Sequence, residues 1–118
     1  MTYVDGFVIP VPKQNIESYR QMAEAAGAVW REHGALTYFE CVAEDLETPC
    51  GIPFQKLAAA KDDETVVFAF ITYESRAHRD AVNAKVMADP RIAGMCPDPM
   101  PFDVSRMTFG GFQAIVEA

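Results

Sequence analysis

Two histidines are the side chains best suited to move a proton near neutral pH, because the imidazole pKa is about 6.5. His33 and His78 are therefore candidate catalytic residues. His33 ends a predicted helix on its apolar stripe, where the alternative role is a partly buried cap on the last carbonyls. Trp30, one helical turn earlier, is a candidate ligand-binding residue, and its alternative role is in the core.

The turn from Ser75 to Asp80 is a second candidate site, at the predicted start of another helix. Ser75 is a favoured N-cap residue, and the free amides of a first helical turn attract anions. Arg76 and Arg79 are three residues apart, so both could converge on a carboxylate or phosphate beside His78. The alternative is a solvated turn in which the arginines pair with neighbouring carboxylates or with a partner subunit.

Three charged residues fall inside predicted strands, namely Asp5, Glu40 and Arg106. A charge on a buried strand face must be paired or hydrogen-bonded. If the second face of the sheet is closed, these three residues are predicted to form a polar ligand-binding centre. The alternative, which the alternation of residues does not separate, is that each lies at a strand end in water.

No metal or cofactor motif accompanies these residues. The two histidines show no H-x-E, H-E-x-x-H or facial-triad spacing, so no metal site is expected. Glycine-rich phosphate loops and a G-x-S-x-G elbow are also absent, which argues against nucleotide binding and serine hydrolase chemistry. No cofactor is expected, although haem, which needs only one axial histidine, stays open on spacing alone.

The elements that must position these residues alternate between strand and helix. Runs rich in β-branched and aromatic residues and helical apolar periods predict strands at 3–11, 36–44, 54–59, 65–73 and 105–116, and helices at 15–33 and 76–88. The proline-rich connection 91–103 is predicted to be irregular. This order predicts an α+β, ferredoxin-like antiparallel sheet (β-α-β-β-α-β) with both helices on one face.

The strand predicted at 65–73 is apolar on both of its faces. Phe68 and Phe70 alternate with Ala69 and Ile71, whereas a sheet with one solvated face should alternate apolar and polar residues. Two helices cover only one face of a sheet. The second face therefore needs another cover, most simply a second subunit, and a homodimer packed sheet to sheet is predicted.

The composition describes a small acidic domain, predicted to span 1–118. Hydrophobic residues make up 50% and charged residues 23%, values typical of globular chains. The net charge of −7 disfavours a nucleic-acid partner. No membrane span or targeting segment is recognised, and three widely spaced cysteines without a C-x-x-C motif favour a reducing cytoplasm.

Several segments, in order along nearly the whole chain, resemble the YbaA-like family of bacterial proteins of unknown function. The segments are 3–8, 28–36, 40–45, 75–83, 100–103, 106–107 and 110–112. The resemblance implies the dimeric α/β-barrel superfamily, in which two ferredoxin-like subunits pair. That superfamily includes cofactor-independent monooxygenases, haem-binding enzymes, isomerases and ligand-sensing domains, so fold alone does not choose an activity.

Together, these patterns predict a cytoplasmic homodimer that binds a small organic molecule beside or within the sheet. As an enzyme it would be a cofactor-independent oxygenase or isomerase. His33 or His78 would then move a proton, and Arg79 or Arg106 would stabilise an oxyanion. The alternative is a non-catalytic ligand-sensing or protein-interaction module whose charged residues stabilise the dimer.

Overall fold

The computed structural model describes residues 1–118 and contains one four-stranded antiparallel sheet. The strands are β1 (Tyr3–Pro12), β2 (Thr37–Val42), β3 (Glu64–Tyr73) and β4 (Thr108–Gln113), in the order β2-β3-β1-β4. The two long strands, β1 and β3, pair in the centre from Tyr3 opposite Tyr73 to Pro12 opposite Glu64. This strand order, with a helix in each crossover, confirms the ferredoxin-like α+β fold.

Two long helices cover one face of this sheet. They are α1 (Ile16–Glu32) and α3 (Arg76–Ala88), and shorter helices are α2 (Phe54–Leu57) and α4 (Pro90–Ala93). The predicted N-cap of α3 is confirmed, because the Ser75 hydroxyl accepts a hydrogen bond from the His78 amide at 3.1 Å. No helix combines the length and apolar character needed to cross a lipid bilayer.

The segment predicted as a short strand at 54–59 is instead helix α2. A helical turn places Phe54 and Leu57 on the same side, which a strand of period two would not do. The Phe54 ring packs edge-on against Phe68 with centroids 6.0 Å apart, and Leu57 lines the same surface. The prediction of a strand was wrong because this contact with β3 outweighs local propensity.

The final strand is shorter than the predicted 105–116. Asp103 accepts a hydrogen bond from the Ser105 amide at 3.0 Å and begins a 3-10 turn over Val104–Arg106. Arg106 therefore lies in a turn before β4, and its prediction as a strand residue was wrong. The same turn brings Arg106 to the start of β3.

The core lies between the sheet and the two long helices. One part gathers around Tyr73, Val82 and Val86, and the other gathers around Val11 and Tyr19. In each part of the core, side chains from alternate strand positions pack against the apolar stripe of a helix. The polar groups of the covered face must therefore find partners within this layer.

The other face of the sheet carries no helix across its centre, and it is called the open face below. Its side chains come from alternate strand positions: Val4, Gly6, Val8, Thr37, Phe39, Cys41, Val66, Phe68, Phe70, Thr72, Thr108, Gly110 and Phe112. The same alternation continues at the end of β1 and β3 with Pro10, Pro12 and Glu64, and Glu64, which is paired with Arg106, is the one charged residue among these positions. Phe68 remains 44% exposed and Phe112 63% exposed, so a large apolar surface faces solvent in the single chain.

Candidate functional site

Asp5 and Arg79 form an ion pair inside the covered face. The Asp5 side chain in β1 is 10% exposed, and Arg79 Nη1 from the first turn of α3 lies 3.2 Å from Asp5 Oδ1. Arg79 Nη2 donates to the Tyr3 hydroxyl at 3.2 Å, and the guanidinium carbon lies 4.9 Å from the Tyr3 ring centroid. Arg79 is therefore occupied by partners in its own chain.

A glycine makes this packing possible. Gly111 in β4 stands opposite Asp5, and the Tyr3 ring occupies the space where a side chain at that position would lie. Arg79 Nε lies 3.0 Å from Asp80 Oδ1, but its N–H makes no hydrogen bond. The contact with Asp80 is electrostatic, and the directed hydrogen bonds of Arg79 go to Asp5 and Tyr3.

Two further aromatic residues complete a polar network around this pair. The Tyr73 hydroxyl and the Trp30 indole N–H both donate to Asn83 Oδ1 at 3.4 Å. Burial raises the pKa of Asp5, and the nearby Arg79 charge opposes that effect. Burial and the Asp5 charge raise the pKa of Tyr73, so this phenol remains a hydrogen-bond donor.

The two histidines are held at helix ends by different partners. His33 Nε2 lies 2.8 Å from Asp89 Oδ2, and hydrogen bonds from Arg91 and His33 keep the pKa of Asp89 below its usual range. His78 Nδ1 accepts a hydrogen bond from the Glu74 amide at 3.0 Å. Neither histidine lines the cavity at Glu40.

Arg106 forms a second ion pair, with Glu64 at the start of β3. The contact is bidentate, with Nη1 2.7 Å from Oε2 and Nη2 2.8 Å from Oε1, and Nη2 also donates to the Ala59 carbonyl at 2.8 Å. These bonds hold Ala59 in a left-handed conformation, with φ of 52°, directly after α2. Arg106 thus joins α2, β3 and the turn before β4.

Glu40 lies in a third place, at the edge of the covered face. Tyr19 from α1 donates to Glu40 Oε1 at 2.6 Å, and Tyr38 from β2 donates to Oε2 at 2.7 Å. Burial, followed by the Glu40 charge, raises the pKa of both phenols, so both remain protonated donors. The Glu40 carboxylate is therefore fixed in orientation by one phenol on each oxygen.

A groove of about 270 Å³ runs between the start of α1 and β2 at this carboxylate. It is called the α1–β2 groove below, and its lining residues are Ile16, Glu17, Tyr19, Arg20, Glu40, Cys41, Val42 and Val67. Most of this lining is apolar, and Glu40 is the half-buried charged group within it. In this groove an apolar wall lies beside a carboxylate of fixed orientation.

The structure separates Asp5, Glu40 and Arg106, which sequence analysis considered as one polar centre. Asp5, Arg79 and Trp30 belong to the same network, but Glu40 lies at the groove. Arg106 pairs with Glu64. On β3, Glu64 is seven residues from Ile71, the residue opposite Asp5, so the two ion pairs are separated by roughly 23 Å along the strand. Arg76 Nε lies 3.9 Å from Asp80 Oδ2 and Arg79 Nε lies 3.0 Å from Asp80 Oδ1, so both arginines face a carboxylate of their own helix. No group of three or more histidine, cysteine or carboxylate side chains is arranged around a metal position.

Sequence analysis missed Tyr19, which lines the groove, and Tyr38, which donates to the carboxylate in it. Tyr38 is two residues before Glu40, and the period of a strand places both on one face. Its proximity to Glu40 could therefore be inferred from sequence. Tyr19 lies 21 residues from Glu40 and reaches it only through the packing of α1 on β2.

The fold and the groove place this chain among ferredoxin-like α+β proteins. It is similar to a putative antibiotic biosynthesis monooxygenase from Nitrosomonas europaea, with a TM-score of 0.60 and 9% identity, covering 97% of this chain and 90% of that chain. A dimeric ferredoxin-like protein from an uncultured marine organism gives a TM-score of 0.58 and 13% identity, and all of both chains is covered. These similarities show the fold.

The family follows from sequence similarity. Residues 2–104 match the model of a family described as a protein of unknown function, DUF1428. The chain is 43% identical over 117 residues to the uncharacterised protein YbaA of Escherichia coli K12, covering 99% of each. The chain belongs to this family, which confirms the resemblance seen in the sequence.

We expect Arg79→Met to lower the free energy of unfolding by about 2–3 kcal/mol, because it leaves the Asp5 carboxylate buried without a cation. Arg76→Met is the matched control: Arg76 is 74% exposed, and its loss should change stability by less than about 0.5 kcal/mol. Adding Asp5→Asn to Arg79→Met should restore part of the loss. Urea unfolding measures all four proteins, and equal effects of both arginine variants would contradict the assigned pair.

The Glu64–Arg106 pair predicts a specific pH dependence. Hydrogen bonds from Arg106 lower the pKa of Glu64 from 4.5 to about 2 in the folded chain. Because the folded-state pKa is depressed, the contribution is fully present above pH 4.5 and is lost as pH falls towards 2. The stability difference between wild type and Glu64→Gln should therefore shrink over this interval in urea titrations. Glu74→Gln, an exposed control, should differ little from wild type, and a constant Glu64→Gln difference would rule out the linkage.

Proposed function

We propose that residues 1–118 act as one cytoplasmic domain that pairs through the open face and binds a small organic molecule in the α1–β2 groove. The observation that carries this proposal is the oriented Glu40 carboxylate in a mostly apolar groove. Binding sites for small molecules commonly combine apolar walls with a few fixed polar groups. Three free, exposed cysteines are consistent with a reducing compartment.

The chemistry of the open face supports a second copy as its cover. The chain carries a net charge of −7, yet the one charged strand residue of the open face, Glu64, is paired with Arg106, so two copies can meet there with little repulsion between facing charges. The chain is flat, 39 × 38 × 20 Å, and its broad face can provide the roughly 800 Å² per partner of a standard interface. A two-fold pairing uses the same surface on both copies. One structural neighbour is described as dimeric.

The positions of the candidate catalytic residues favour binding over catalysis. Tyr19 and His33 are fourteen residues apart on α1, so the groove and His33 are separated by roughly 21 Å along the helix. Arg79 and Arg106 are both paired within the chain and do not face the groove. None of the four candidate residues, His33, His78, Arg79 and Arg106, lines the groove, so binding there needs none of them. The monooxygenase description of one neighbour belongs to that protein.

The homodimer predicts a clear effect of charge on the open face. Phe68→Asp should raise the dimer dissociation constant at least about 100-fold, because the carboxylate is desolvated and a two-fold interface contains it twice. Met87→Asp, on the exposed side of α3, is the control and should leave the dimer intact. Sedimentation velocity at micromolar concentration separates the forms. A wild-type chain that sediments as a folded monomer would disprove the pairing.

The ligand-binding proposal predicts localised binding in the groove. Small neutral, cationic and anionic aromatic fragments are titrated into ¹⁵N-labelled protein, and amide shifts in 16–20 and 40–42 are expected at roughly millimolar concentration. Val42→Trp should block these shifts because Val42 lines the groove and is 55% exposed. Val104→Trp, at a site 50% exposed outside the groove, should not. If no fragment of any charge shifts the groove amides, the proposed site is wrong.

A further inference from the structure

We infer that the ligand of the α1–β2 groove is a small organic cation, an ammonium group on a compact apolar body. This inference rests on the proposed binding function of the groove and adds the chemical class of the ligand. It follows from the charge balance around Glu40, from the hydrogen-bond positions that Glu40 still offers, and from the size and lining of the groove.

Glu40 carries a charge that no cation of the chain balances. Its hydrogen bonds within residues 1–118 come from two neutral phenols, and no lysine, arginine or histidine forms an ion pair with it. Arg20 is the cation at the rim of the groove, but it is held by Glu17 at 2.8 Å and Glu24 at 2.7 Å. The lining of the groove thus holds one arginine and two carboxylates, Glu17 and Glu40, and it favours a positive ligand.

Glu40 also retains acceptor capacity. An ionised carboxylate offers about four lone-pair positions, and Tyr19 and Tyr38 use one on each oxygen. Because the pKa of both phenols is raised, they continue to donate and do not become competing anions. The positions that remain accept hydrogen bonds only, so they suit a ligand that donates. An ammonium group brings both the donors and the missing charge.

The walls and the volume of the groove indicate the size and polarity of the rest of the ligand. Ile16, Val42 and Val67 provide apolar contacts beside the carboxylate. A volume of about 270 Å³ is slightly below the roughly 300–1,000 Å³ of pockets for drug-sized ligands. The groove is therefore matched to one ring or a short branched chain that carries a single amine.

Three probes of nearly equal shape and different charge test this inference. They are 2-phenylethylamine, 2-phenylethanol and phenylacetate, which are cationic, neutral and anionic at pH 7. NMR titrations that follow the groove amides give a dissociation constant for each probe. The amine should bind at least about tenfold more tightly than the alcohol, and phenylacetate should bind more weakly than the alcohol. Raising the salt concentration should weaken binding of the amine more than binding of the alcohol.

Two variants assign the preference to Glu40. Glu40→Gln should bring the affinity for the amine to within about threefold of the affinity for the alcohol. Glu74 is an exposed carboxyl outside the groove, so Glu74→Gln should leave the tenfold preference for the amine unchanged. Tyr19→Phe removes one phenol donor from Glu40 and should tighten amine binding, and it keeps the test available if Glu40→Gln does not fold.

The outcomes separate this inference from the proposed function. Groove binding of the alcohol or phenylacetate as tight as that of the amine would overturn the cationic class and leave ligand binding in place. An amine preference that survives Glu40→Gln, or amine binding unchanged by Tyr19→Phe, would also overturn it. If no probe and no fragment shifts the groove amides, both the proposed function and this inference are wrong.

Discussion

A single sheet has two faces, and the central pairing of β1 with β3 determines what each face must accommodate. The pairing runs from Tyr3 opposite Tyr73 to Pro12 opposite Glu64. This register determines, for both long strands at once, which side chains lie on each face of the sheet. α1 and α3 cover one face, where each polar group needs a partner. The other face carries mostly apolar side chains, and its one charged strand residue, Glu64, is paired with Arg106.

On the covered face, the buried charge of Asp5 is paired with a residue of the same chain. Asp5 is tolerated because Arg79 reaches it from α3, and Tyr3 provides a hydroxyl and a ring for the same guanidinium. A buried carboxylate without such a partner would cost several kcal/mol. The first turn of α3 looks suited to an anionic ligand, but Arg79, its buried cation, is already used to stabilise the fold.

Glu40 differs from Asp5 and Glu64 in the kind of partner that it has. Arginine neutralises Asp5 and Glu64, whereas phenols orient Glu40 without balancing its charge. Neutral hydrogen bonds satisfy the geometry of a carboxylate and leave its electric field largely in place. This difference is why we place the proposed ligand site at the groove rather than at either ion pair.

Local sequence patterns determined the elements and much of the fold. The apolar period of α1, the Ser75 cap of α3 and the two apolar faces of β3 can each be read within about twenty residues, because helix and strand periods are local properties. They are sufficient for the ferredoxin-like order and for an uncovered apolar face. Local propensity failed at α2, where the contact between Phe54 and Phe68 decides the conformation.

Only the tertiary structure decided which charged residues meet. Arg79 and Asp5 are 74 residues apart, Arg106 and Glu64 are 42 apart, and Tyr19 and Glu40 are 21 apart. Such pairs depend on strand register and on where a helix crosses the sheet, and no local period contains that information. The sequence alone therefore identified most of the charged residues that need partners. Only the packed sheet and helices distinguish those that hold the fold together from Glu40, which faces the groove.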